Sequence, residues 1–261
     1  MFELIDRRRV KAEARAILRD AQVSPKAFFA LYLGAMVLMD TCGYLPSLAG
    51  SESLIAGPAE LFITIFSSLL SPILGVGLFL YCIAVRRGER AEFLTLFDGF
   101  SFAGKIILLF LLQTLFIFLW TLLFVFPGIV AAYRYSFAYL NLCENPTLSP
   151  LEALALSKKQ THGYKFQLFQ LDLSYFGWIA LSSLPAVLSV WLMTDPEQLN
   201  ALAVNPLYIA AELACYFVFG LLFLPSYYTC QVAYYEVAVR TSGADPRSHI
   251  SRDDDEDSFF F

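Results

Sequence analysis

From residue 106 to residue 143 the chain runs for 38 residues with one charged side chain, Arg134. As a single straight helix this run would measure about 57 Å at about 1.5 Å per residue. That is nearly twice the roughly 30 Å hydrocarbon core of a bilayer. The triplet Phe126-Pro127-Gly128 interrupts it. Proline lacks an N–H and crowds the preceding turn, and glycine frees the backbone, so the triplet is a helix breaker. The run therefore reads as two membrane helices, about 106–126 and 129–143, joined by a tight turn at Pro127 and Gly128.

Four further apolar stretches approach membrane length: 27–50 (carrying Asp40), 61–85, 173–194 and 213–235. Hydrophobic residues make up 58% of the chain and the mean hydropathy is +0.61, against about 45–50% apolar residues in soluble domains. The excess lies in runs of spanning length, which leaves no sequence for a large soluble core. Twenty-five Phe and fourteen Tyr suit a lipid-facing surface with interfacial aromatics. The fold class is thus all-α, a polytopic bundle of six transmembrane helices. The positive charges orient it. Seven Lys/Arg lie up to Lys26, four in 86–105, three in 144–165 and three after Tyr235, with Arg134 the last of the 18. The connections 51–60 and 195–206 hold none. The positive-inside bias then puts both termini in the cytoplasm, in the cell membrane. Five spans instead of six would carry six of these charges across.

Three Glu-to-Lys intervals of equal length recur: Glu13–Lys26, Glu92–Lys105 and Glu152–Lys165. Each lysine opens an apolar run. The pattern predicts three parallel repeats of an amphipathic helix plus a helical hairpin, about 10–85, 89–143 and 149–240, within one membrane domain spanning 1–240. Residues 241–261 form an acidic tail, read as solvated and disordered, whose Asp253-Asp254-Asp255-Glu256-Asp257 supplies five of the negative charges.

In the first copy Val10, Ala14, Ile17, Leu18 and Ala21 share one helical face, and Arg7, Arg8, Arg9, Lys11, Arg15 and Arg19 lie mostly elsewhere. That is a basic interfacial helix drawn to anionic headgroups. In the third copy Ser149-Pro150-Leu151-Glu152 has the form of a capping box with proline at the first helical position, and Gly163 is placed to end the helix.

The segment Phe126-Pro127-Gly128-Ile129, Tyr133-Arg134-Tyr135-Ser136, Asn145-Pro146, Ser149-Pro150-Leu151-Glu152-Ala153, Ser157-Lys158-Lys159, Gly163-Tyr164-Lys165 resembles a family of uncharacterised bacterial multi-pass integral membrane proteins. Leu96-Phe97-Asp98-Gly99-Phe100 and Phe176-Gly177-Trp178 fit the same pattern. The family is similar to the membrane domain of some glycerophosphodiester phosphodiesterases. The resemblance, over roughly 10–240, implies a helical membrane domain. It brings no catalytic residues, because the phosphodiesterase chemistry belongs to a soluble domain that this chain does not resemble.

No catalytic constellation appears. The two histidines, His162 and His249, stand outside any His-Glu-x-x-His, and there is no phosphate-binding glycine loop and no Gly-x-Ser-x-Gly. Cys42, Cys82, Cys143, Cys215 and Cys230 lie in or beside apolar runs without metal spacing. The chain therefore reads as a non-enzyme with no cofactor and no metal. Its partners are membrane lipids and other membrane proteins, and not nucleic acid. Charges at membrane depth remain as candidates. Arg134 and Asp40 fall at similar estimated depths and are expected to touch. They form either an ion pair that fixes packing, or, with Tyr133 and Tyr135, a site for an anionic group. The first reading makes the chain an envelope-supporting protein that meets lipids or a partner. The second makes it a transporter or lipid-handling carrier.

Overall fold

The computed structural model describes residues 3–48, 56–192 and 205–249, and every regular element among them is helical. In order these are α1 (Arg7–Asp20), α2 (Pro25–Leu48), α3 (Ala56–Arg87), a 3₁₀ segment (Phe93–Phe102), α4 (Ala103–Leu123), α5 (Val125–Arg134), α6 (Ala138–Glu144), α7 (Pro150–Gln160), α8 (Lys165–Ser182), α9 (Leu184–Leu192), α10 (Pro206–Ser242) and a 3₁₀ turn (Pro246–His249). Among the described residues three stretches can cross a membrane by length and apolarity: Leu61–Arg87, Phe93–Leu123 and Pro206–Ser242. A fourth exists if α1 and α2, bent by 95°, count as one span. These apolar helices support a membrane protein.

The long run folds back on itself, but not at the proline. The chain leaves α4 at Phe124, which is fully extended, and α5 begins at Val125. Pro127 sits in the first turn of α5, where an N–H has no intrahelical acceptor and the fixed φ of proline suits the helix. The breaker residue thus starts the second helix, and the turn falls just before it. Gly128 lets the two helices close, since a Cβ there would overlap the Thr121 side chain.

A second break was not legible in the sequence. The helix stops at Arg134 and resumes at Ala138. The opened backbone is answered by α7: Ser157 Oγ donates to the Arg134 carbonyl at 2.9 Å and accepts from the Phe137 N–H at 3.1 Å. Thr161 Oγ1 stands 3.2 Å from the same carbonyl. Irregular backbone inside a membrane bundle persists where protein side chains satisfy it, and here two hydroxyls do so.

Around α10 pack α1, α2, α3 and α8. Phe28, Leu33, Leu78, Tyr81, Leu140 and Tyr234 form a fully enclosed centre. Phe28 stacks on Tyr81 with centroids 4.0 Å apart, and the Tyr81 hydroxyl donates to the Val23 carbonyl at 2.8 Å. The 3₁₀ segment lies on the backbone of α3: a Cβ on Gly77 would overlap the Leu96 carbonyl, and one on Gly99 the Ile73 carbonyl. Outward, α4 exposes Leu108, Leu111, Leu115, Phe118 and Leu122, and the α4–α5 tip exposes Phe124 and Phe126. Acyl chains solvate such a surface and water does not.

The three lysines of the Glu-to-Lys pattern each open a helix, as second, third and first residue of α2, α4 and α8. The glutamates take three different positions: Glu13 mid-way along α1, Glu92 capping the 3₁₀ segment, and Glu152 in the first turn of α7. Helix α1 packs across α10 and α3 with Ala14 fully enclosed. Past residue 240 the chain stays packed: Gln160 Nε2 donates to the Ala244 carbonyl at 2.9 Å, and Asn145 Nδ2 to the Pro246 carbonyl at 3.0 Å. The acidic run 253–257, half of the connection 51–60 and most of the connection 195–206 lie outside the described residues.

Candidate anion site

Where α5 ends, α8 begins and α10 ends, the helices leave a cavity of about 660 Å³. Arg134, Ala155, Lys158, Lys159, His162, Tyr164, Lys165, Thr241 and Ser242 line it. Four of these side chains are cations, and no carboxylate is among them. Lys165 feels the charges of both Arg134 and Lys158. Like charges gathered in a concave space repel one another, and the arrangement is relieved by an anion.

Arg134 is the half-buried arginine of this wall. Its guanidinium lies over the Trp120 ring, 5.7 Å from the centroid, within cation–π range. Its Nε is buried and has no hydrogen-bond partner among the described residues. Among the described residues its side chain takes part in no salt bridge. A buried guanidinium N–H without an acceptor carries a desolvation cost, which an oxyanion in the cavity removes.

The frame behind the cavity is saturated. Ser149 Oγ accepts the Glu152 N–H at 3.3 Å while Glu152 Oε2 accepts the Ser149 N–H at 2.8 Å, which starts α7. Gly163, at φ 89°, lets the chain turn from α7 toward α8. Between α6, α7 and α10, Asn141 is fully enclosed. It accepts from Gln160 Nε2 (2.7 Å) and Tyr235 Oη (3.1 Å) and donates to the Ala153 carbonyl (3.1 Å) and Gln160 Oε1 (3.0 Å). The Tyr164 hydroxyl pairs with Thr241 Oγ1 at 2.9 Å, and Lys105 Nζ holds the carbonyls of Pro146 (2.6 Å) and Thr147 (2.9 Å).

The expected contact between Arg134 and Asp40 is absent: no salt bridge joins them among the described residues. Asp40 stands on α2 in the electrostatic neighbourhood of Tyr32 and Tyr216. Depth counted from the sequence assumed straight helices and equal loops. The second break and the packing of α7 instead place Arg134 at the end of the bundle where α8 starts. Tyr133 turns away from the cavity and donates to Asp172 Oδ2 at 2.8 Å, with Tyr227 donating to Oδ1 at 2.9 Å. Tyr135 packs on Phe116 at 6.0 Å. Of the four proposed binding residues, only Arg134 lines the cavity. Sequence reasoning missed Lys158, Lys159, Lys165 and His162 as site residues because basic residues beside a span read first as topology signals. The available signal was their recurrence within eight positions on a capped helix and its exit turn.

Residues 122–240 match the model of a family described as Protein of unknown function (DUF975). The matched stretch contains α5 to α8 and nearly all of α10, and with them all the cations of the cavity. It supports a place in an uncharacterised family. No curated protein matches the chain. No solved structure matches it either.

Proposed function

We propose that this chain is a non-enzymatic multi-pass protein of the cell membrane whose basic cavity binds an anionic, phosphate-bearing ligand. The observation that carries the reading is the cavity of about 660 Å³ with Arg134, Lys158, Lys159 and Lys165 in its wall and, among the described residues, no carboxylate. Small-molecule sites commonly fall between about 300 and 1,000 Å³ and set orientation with a few convergent polar groups. The break in the helix at Arg134 favours handling of the ligand over a purely supporting role, since interrupted helices facing a polar cavity are a feature of carriers. The chain has six spans, with both termini in the cytoplasm, and the cavity opens to that side. On this reading it stands with bacterial membrane proteins of the uncharacterised family, and its likeness to the phosphodiesterase-linked membrane domain is one of shared membrane architecture.

Two experiments test it. Reporter fusions after Gly88, Asn145 and Gly243 should all report the cytoplasm, and an external signal at Asn145 would remove the six-span topology. Purified protein in neutral detergent should rise in unfolding temperature with inorganic phosphate or a short-chain anionic phospholipid. The response should be lost in Arg134→Gln and reduced in Lys158→Gln. If neither ligand shifts the wild type, or both variants respond as it does, the anion site is wrong.

A further inference from the structure

The helices that supply Arg134 and Lys165 also present apolar side chains outward from the cavity. Helix α5 ends at Arg134 and α8 begins at Lys165, and the two pack together. Running away from the cavity, α5 exposes Val130 and Ile129, and α8 exposes Phe166, Phe169 and Leu173. Phe166, directly after Lys165, is 66% exposed. Phe166 and Phe169 stand with centroids 6.3 Å apart, and Phe169 meets Tyr133 edge-on at 6.1 Å. An apolar seam thus begins at the rim of a cationic cavity.

We propose that the ligand of the cavity is an anionic membrane phospholipid, with its phosphate among Arg134, Lys158, Lys159 and Lys165 and an acyl chain along the α5–α8 seam. This rests on the anion-site reading and names its ligand class. A soluble phosphate satisfies the cations and leaves the seam unused. A zwitterionic lipid satisfies the seam but brings an ammonium into a wall that holds, among the described residues, four cations and no carboxylate. Only a lipid of net negative charge matches both. A cation near an anionic lipid surface contributes about fivefold in affinity, and here four converge on one headgroup. The ligand reaches the cavity sideways from the bilayer, between α5 and α8, with its headgroup at the level where α8 starts.

Trp120, beneath the Arg134 guanidinium, is the reporter. With Trp178→Phe and Trp191→Phe it is the sole tryptophan, since the chain has three. The full chain is reconstituted in phosphatidylcholine vesicles holding a small fraction of either phosphatidylglycerol or phosphatidylcholine with brominated acyl chains. The brominated anionic lipid should quench Trp120 in clear excess over the brominated neutral lipid. Lys158→Gln should lower its apparent affinity about fivefold. Arg134→Gln should abolish the excess, and Arg134→Lys should restore part of it. Lys158 is exposed, so its loss leaves folding intact. Equal quenching by both lipids, or an excess that survives both glutamine substitutions, overturns the lipid assignment. If quenching is equal while inorganic phosphate still raises the unfolding temperature through Arg134, the cavity takes a soluble anion and only the lipid assignment falls. If phosphate also has no effect, the anion site falls with it.

Discussion

Arg86 and Arg134 are two inward-turned arginines at helix ends in one bundle, and they are treated in opposite ways. Arg86, on α3, has a side chain only 9% exposed. Its Nη2 meets Glu236 at 2.7 Å and Glu13 at 3.4 Å, and its Nε meets Glu236 at 3.1 Å. Only Nη1 is left over. The groove around it mixes signs: Glu3, Asp6, Arg9, Glu13, Arg86, Glu236 and Arg240 all line it. Arg134 has a ring beneath it, three lysines around it and, among the described residues, no carboxylate. A paired arginine of the first kind joins α1, α3 and α10 into one body. One of the second kind, held by a saturated frame, has an Nε without an acceptor among the described residues, which is where the proposed anion would bind.

The largest effect is expected from damage to that frame. Asn141→Leu leaves Gln160 Oε1 and the Tyr235 hydroxyl enclosed without their partner. At about 1–3 kcal/mol for each orphaned group, the loss should be about 3–4 kcal/mol, seen as a fall in unfolding temperature in detergent. A mild effect there would mean that the frame does not hold Arg134 in place. Next is the paired arginine. Glu236→Gln should cost about 2 kcal/mol, less than the roughly 3–5 kcal/mol of a fully buried pair, because water reaches the glutamate, whose side chain is 42% exposed. If it is as silent as a surface change, Arg86 is not the joint described above.

Arg134→Gln should behave differently from both. Its stability without ligand should stay within about 0.5 kcal/mol of wild type, the range of substitutions that break no partnered group, while the response to phosphate disappears. A large loss of intrinsic stability would make Arg134 a second structural arginine and erase the contrast. The smallest expected effect is between Arg134 and Asp40. In the cycle Arg134→Leu, Asp40→Leu and the double change, the coupling should be within about 0.3–0.5 kcal/mol of zero, as for separated sites. A recovery of stability in the double variant would mean that the two meet after all.

The all-helical architecture and the capped start of α7 could be read from residue order alone, because apolar run length and the Ser149–Glu152 spacing act locally. So could the presence of a turn near Pro127, though its place was off by a few residues. Proline forbids one hydrogen bond, and whether that ends one helix or opens the next depends on where the chain needs an N–H. Tertiary structure alone decided the rest. The second break, at Arg134, exists because Ser157 and Thr161, more than twenty positions away, offer hydroxyls to the opened backbone. The pairing expected of Arg134 was wrong because charge depth along straight helices carries no information about which faces meet. Residue order determined that this chain has membrane-length apolar helices with one arginine in the longest run. Only packing decided that the arginine would stand among lysines and not beside a carboxylate, because the sign of a cavity is set by helix ends that converge from distant parts of the chain.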